Sequence, residues 1–550
     1  MLRSLALGSL APALLLAGLA APAAAEVVPA PIFGDHMVLQ AGVKAPVFGT
    51  TEPGGTVAVS ALLVQNGAGE ALETITETIV FAAADDAGRW QAEVGPFESG
   101  VTLTLVVADV PERDENYTAD GVLKDPAAED TADRKIYTDV LVGDVWLCSG
   151  QSNMEWPLAA TIDGDREIKA AENESIRVFT VPKNSVREPQ TTLKGEPGQG
   201  EPANARWLKL SPEAASTFSA VGYHFGTTIH EATGRPVGLI DSSWGGTPSE
   251  AWTREATLET LETAGPLLER WEKYDAAAKA GKAAEGNWNG KYGPTHPHHP
   301  GNLNNGMIAP LVPFALKGAI WYQGESNAGR AEQYDEIFPA MIEDWRDQFG
   351  QDLPFFWVQL ANYMESKEDP NVGSEWAELR EAQDNTLDEL KDVGQAVIID
   401  IGEANDIHPR NKEDVGERLA LAALETVYGM DAPGRLSPRF KEAQLNGKTA
   451  TIAFDVDDDA LQIRRDEYEA GANEALGFAV AGPDKTFHWA KAELTGPDTV
   501  KVTAPEGVSE IVAVRYAWAD NPKVTLFNTR GLPAAPFRTD DWPRVTAGRY

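Results

Sequence analysis

The chain has 550 residues, 43% of them hydrophobic, and a formal net charge of -38, enough for three to four structural units of about 150 residues each. That charge excludes nucleic acid and anionic membrane surfaces as natural partners, since both are repelled. The single cysteine, Cys148, excludes an intramolecular disulfide in any compartment.

Taken in order, Met1 to Ala25 joins a basic start at Arg3 to an apolar stretch through Leu14 and Leu19, then to Ala23-Ala24-Ala25. This is the pattern of a secretory signal cleaved near Ala25. The stretch is too short and too Ala-rich for a membrane span, and no later segment approaches that length. The expectation is an exported bacterial protein, periplasmic or secreted, with no integral membrane segment. Residues 26–110 carry short β patterns broken by Gly and Pro, among them Met37-Val38-Leu39, Ala45 to Gly49, Thr56 to Val59 and Thr102 to Val107. They predict a small β-sandwich. Residues 111–136 are acidic and rich in breakers, the texture of a linker.

From 137 to 435 the pattern alternates. Strands are expected at Val145–Cys148, Val237–Ser242, Gly318–Tyr322, Phe355–Leu360 and Ala396–Ile401, and helices at Ala220–Ala232, Gln333–Phe349 and Glu375–Leu390. This alternation predicts an α/β unit, a parallel sheet with helices on both faces, whose site lies at the carboxyl ends of the strands. Residues 254–305 read as an excursion, helical from 256 to 285 and closing with His296-Pro297-His298-His299-Pro300. A metal site on His296, His298 and His299 is one reading. Prolines deny it a regular ligand face, and no acid or cysteine stands at metal-site spacing, so a rigid loop bordering the site is preferred and no metal is expected. Residues 436–550 return to short strands, a second β domain.

Four strand ends carry polar clusters. Val145 to Cys148 stops at Ser149-Gly150, and Gln151-Ser152-Asn153 follow at once. Ser152 there is either a helix cap or a nucleophile held beside unpaired backbone amides. Cys148 competes for that role, but its place inside an apolar run favours a buried thiol. The other ends are Trp244-Gly245-Gly246-Thr247, Gln323-Gly324-Glu325-Ser326-Asn327 and Asn405-Asp406-Ile407-His408. Acyl transfer needs a hydroxyl, a base, a group that orients the base and donors for the oxyanion. These four ends can supply all of them.

The same motifs, in order, resemble the sialate O-acetylesterase family of the SGNH hydrolase superfamily, which overlaps with carbohydrate acetylesterases acting on plant polysaccharides such as acetylxylan. The match rests on Gly150 to Met154, Trp244 to Thr247, Tyr322 to Asn327 and Ile407-His408-Pro409. Flanking matches run from Met37 to Gln40, from Leu379 to Gln383, from Val514 to Trp518 and from Gly531 to Thr539.

The resemblance implies an SGNH-type three-layer α/β/α domain flanked by smaller β domains. It also implies a serine esterase that removes O-acetyl groups from carbohydrates without a cofactor. Ser152 would be the nucleophile and His408 the base. The oxyanion hole would comprise the Ser152 amide, an amide from Gly245 or Gly246, and the Asn327 side chain. Gln151, Trp244, Gln323 and Glu325 would support the site or face substrate. The superfamily places its acid three residues before the histidine, and here that position is Asn405. Asp406 takes the orienting role, with Glu403 next, and a dyad without an acid remains open. Sialic acid and neutral acetylated glycans are both candidate substrates. The alternative of another class is a glycan-binding surface protein without catalysis.

Overall fold

The structure, a computed structural model, describes residues 26–65, 73–110, 134–193, 205–284, 291–465, 468 and 471–550. The expected signal, most of the expected linker and the end of the excursion's helical stretch lie outside the described residues.

An eleven-stranded mixed sheet dominates the molecule. Its strands are β1 (Val38–Gln40), β2 (Thr56–Gln65), β3 (Glu73–Ala83), β4 (Thr102–Asp109), β5 (Arg134–Gly150), β6 (Asn173–Thr180), β7 (Leu208–Leu210), β8 (Val237–Ser243), β9 (Gly318–Tyr322), β10 (Phe355–Gln359) and β11 (Val393–Val397). Along the main path the order is β7-β6-β8-β5-β9-β10-β11. Every pairing from β6 to β11 is parallel, and β7 is an antiparallel edge on β6. The fold is therefore mixed α/β, with several smaller β-sheets beside it.

β5 is the axis of the sheet. Its first part pairs antiparallel with β4 and brings in the hairpin β2–β3, while its second part pairs with β8 and β9. The burial pattern follows this split. The outer half alternates exposed and half-buried residues, and the inner half is buried throughout, as a strand covered on both faces must be. β5 starts at Arg134, inside the range read as linker, because Arg134, Lys135 and Ile136 already pair with Ala108, Val107 and Val106. The N-terminal β region and the α/β region thus share a strand, and they also share one hydrophobic core. Gly143 marks the crossing point, since a Cβ there would lie 2.2 Å from the Pro236 carbonyl oxygen.

Five helices frame the site: α1 (Ser152–Glu155), α2 (Ala220–Thr233), α3 (Ala331–Phe349), α4 (Glu375–Glu389) and α5 (Glu413–Thr426). α2 packs on α5 and α3 packs on α4. Ser219 caps α2 by accepting the Gly222 amide at 3.0 Å, and Ser374 caps α4 through the Ala377 amide at 2.9 Å. Gly234, in the left-handed region at φ 67, ends α2.

Beyond α5, ten short strands among the described residues form two four-stranded sheets and one two-stranded sheet. Their core includes Val397 and Ile399. β11 ends at Val397, short of the expected Ile401, and Ile399 beyond it packs into the C-terminal core. Among the described residues, no helix is long and apolar enough to cross a membrane.

Candidate active site

Register brings the site together. Gly150 pairs with Ser243 on one side and with Tyr322 on the other, so three strands end level and the turns after them meet. Gly150 has φ +137, and a Cβ there would lie 2.2 Å from the Tyr322 carbonyl oxygen, so the tight exit from β5 requires glycine. The Gln151 amide bonds the same carbonyl at 2.9 Å. Ser152 then opens α1, whose first amides have no intrahelical acceptor.

Ser152 Oγ lies 2.9 Å from His408 Nε2. The His408 loop follows β11, and its ring stacks on Trp156 at 4.9 Å between centroids and 16° between planes. Burial lowers the pKa of His408 and Lys412 lowers it further, with Asp406 opposing. Burial and the Lys412 charge thus disfavour the protonated imidazole.

Neither candidate acid bonds the imidazole. Asp406 Oδ1 accepts the His408 backbone amide at 2.9 Å and stands 3.6 Å from Nδ1, beyond hydrogen-bond range. Glu403 accepts the Arg410 amide at 2.9 Å. Asp400 is bound to Arg418 at 2.6 and 2.8 Å.

The remaining predicted residues gather around Ser152. Trp244 is buried, and its amide donates to Gly150 O at 3.0 Å. The Gly245 amide donates to Glu155 Oε2 at 2.7 Å, while Glu155 Oε1 pairs with Lys183. A Cβ on Gly245 would sit 3.3 Å from Ser152 Cβ, so this backbone closely approaches Ser152. The Gly246 backbone acts on the His298 ring, raising the imidazole pKa that burial lowers, so the His-Pro loop lies beside the Gly245–Gly246 turn. His296 and His299 instead pack against Trp271 at 5.7 and 4.7 Å. Gln151 Oε1 accepts the Ser326 amide at 3.3 Å, tying two strand ends together. Gln323 Nε2 donates to Asn327 Oδ1 at 2.6 Å, and Asn327 Nδ2 donates to Glu250 Oε2 at 2.9 Å. One of the two Asn327 N–H donors is thus committed to Glu250.

Several residues here escape sequence reasoning. Asn153 Nδ2 donates to Glu325 Oε1 at 2.6 Å and to Ile407 O at 3.0 Å, and Asn153 Oδ1 accepts Lys412 Nζ at 2.5 Å. Glu250 pairs with Arg330 at 2.7 Å. Trp156, Glu155 and Lys183 complete the rim. Position relative to a motif is the one signal available: Asn153, Glu155 and Trp156 directly follow Ser152, and Lys412 stands four residues after His408. Cys148 is fully buried, and burial drives its thiol pKa far above the ordinary value, which removes it as a nucleophile.

Residues 142–425 match the family described as carbohydrate esterase, sialic acid-specific acetylesterase. Sialate O-acetylesterase of Mus musculus is 28% identical over 539 residues, covering 92% of this chain and 92% of that protein. The Homo sapiens protein of that name is also 28% identical, covering 92% of this chain and 90% of its own length. The crystal structure of a carbohydrate acetylesterase from Xanthomonas citri is 37% identical, with TM-score 0.73, and covers 94% of this chain and all of that one.

Proposed function

The chain belongs to the sialic acid-specific acetylesterase family of carbohydrate esterases, and from that premise we propose that it removes O-acetyl groups from glycans through an acetyl-Ser152 intermediate. The observation that carries this reading is the 2.9 Å contact between Ser152 Oγ and His408 Nε2 at the carboxyl end of a parallel sheet.

Ser152 Oγ attacks the acetyl carbonyl as its proton passes to Nε2. The negative charge that develops on the carbonyl oxygen meets the Ser152 amide, an amide from Gly245 or Gly246 and the uncommitted N–H of Asn327. The intermediate collapses, the C–O bond to the sugar breaks, and His408 returns the proton to the leaving hydroxyl. Water, deprotonated in turn by His408, then cleaves the acetyl-serine and releases acetate. Gly245 N–H serves only after Glu155 lets it go, so substrate displaces that carboxylate. Asp406 orients His408 weakly in this scheme, through the backbone amide and the charge 3.6 Å from Nδ1.

The α2–α5 and α3–α4 pairs belong, in this reading, to the two outer layers of an SGNH-type α/β/α domain spanning 137–435. The β regions at 26–110 and 436–550 flank it and present the glycan. A signal ending near Ala25 would place the enzyme in the bacterial periplasm or medium, where acetylated polysaccharide is met.

Two substrate classes stay in view, acetylated sialic acids and neutral acetylated glycans. The net charge of -38 favours the neutral class, because it repels an anionic sugar at long range. Acetate release from acetylated sialosides, xylans and pectins tests both. Turnover of at least one glycan, lost in Ser152→Ala, is expected. No acetate from any of them, with binding retained, would favour a glycan-binding protein.

A further inference from the structure

Lys412 breaks two rules of local structure. Its side chain is fully buried, where an ammonium loses its hydration. It also stands immediately before α5, at the positive end of a helix, where a cation is disfavoured. Breaks without local compensation concentrate at functional sites.

Each contact of this ammonium leads to the reacting pair. Nζ donates to Asn153 Oδ1 at 2.5 Å. Asn153 directly follows Ser152, and its Nδ2 holds the carbonyl of Ile407, the residue before His408, at 3.0 Å. Nζ also lies 6.0 Å from the centre of the Trp156 ring that stacks on His408, and 5.3 Å from that of Tyr322, distances at which a cation is drawn to an aromatic face. Tyr322 in turn accepts the Gln151 amide at 2.9 Å. One buried charge thus touches both the turn that carries Ser152 and the side chains that hold the His408 ring. No carboxylate among the described residues comes within hydrogen-bond distance of Nδ1, so the ring needs another source of order.

We propose that Lys412 is a positioning residue for the base: it locks Asn153 and Trp156, and these set the His408 ring against Ser152 Oγ. The proposal rests on the reading of Ser152 and His408 as nucleophile and base. The groups facing Lys412 are Glu325, across Asn153, with Asp406 and Glu403 on the His408 loop. Its positive charge also opposes protonation of His408. Removing it lets the imidazole hold its proton to higher pH, so the acid limb of activity must move upward.

The test follows p-nitrophenyl acetate hydrolysis against pH in the wild type, in Lys412→Met and in Lys412→Met/Glu325→Gln. The double variant leaves no carboxylate buried alone, and so remains foldable where the single one is strained. Both variants are expected to lose about 100-fold in kcat, the scale of a small misplacement of reacting groups, with KM nearly unchanged and the acid limb at higher pH. An acid limb at the wild-type position in the double variant overturns the proposal, whatever the loss of rate. Labelling of wild-type Ser152 by a fluorophosphonate separates the two readings: its failure would overturn the nucleophile assignment and leave the positioning question behind it.

Discussion

Two buried clusters flank the Ser152 turn, and each is built from an acid, an asparagine and a base. In the first, Glu250 meets Arg330 directly at 2.7 Å, and Asn327 occupies the other carboxylate oxygen at 2.9 Å. Burial pushes the Glu250 carboxyl up, but Arg330 and Asn327 outweigh it, and its pKa ends below the ordinary value. In the second, Asn153 stands between Glu325 and Lys412, bonding one at 2.6 Å and the other at 2.5 Å. Here burial wins on both sides. The Glu325 carboxyl is raised, its Oε2 has no hydrogen-bond partner among the described residues, and Lys412 falls to about 7. The same three kinds of residue give a locked ion pair where the charges touch, and a pair whose charged forms burial disfavours where an amide separates them. The first is a brace under the Asn327 turn. The second sits beside the His408 loop, through Asn153 and Ile407.

The comparison predicts unequal costs when each is broken. Arg330→Met strands a fully buried carboxylate and should cost about 3–5 kcal/mol in urea unfolding. Lys412→Met should cost less than half of that, because Glu325 can take up a proton. Equal costs would erase the distinction between the clusters.

The pH dependence of stability sharpens the same point. Lys412 titrates at about 7 when folded and at its ordinary 10.5 when unfolded. Between those values the unfolded chain binds more protons, so the lysine's contribution is complete above pH 10.5 and is lost as pH falls through 7. Measured against Lys412→Met, the unfolding free energy of the wild type should therefore rise from pH 7 to 10.5. Measured against Arg330→Met it should show no such rise. The smallest effect belongs to the stacked ring. Trp156→Leu removes a contact worth about 0.5–1.5 kcal/mol, so kcat/KM for p-nitrophenyl acetate should fall by roughly threefold to tenfold, with folding intact.

These contrasts also mark what the sequence could show. Strands such as Gly318–Tyr322, and the turns after them, were legible because apolar runs stop at glycines whose positions only glycine can fill, Gly150 above all. Ser152 and His408 stood at such ends, and the structure puts them in contact. β6, with Asn173, Glu174 and Arg177 in its run, was not legible, since its polar residues mask a strand between β7 and β8. Neither were the two clusters. Glu325 stands in a family motif, but Glu250, Arg330 and Lys412 carry no motif signal, and the burial of Lys412 depends on a partner as far away as Asn153, 259 positions off. The orienting acid was ambiguous in sequence because its usual position holds Asn405. In the structure Asp406 spends its carboxylate on the His408 backbone, which moves the question of what steadies the ring to Trp156 and Lys412.

The proposed acetyl transfer passes through Ser152. Acid quench of the wild-type enzyme during turnover of p-nitrophenyl acetate, followed by peptide mass spectrometry, tests it most directly. One acetyl group on Ser152 is expected, absent from Ser152→Ala. Turnover with no acetylated peptide, or with the acetyl group on another residue and activity intact in Ser152→Ala, would contradict it.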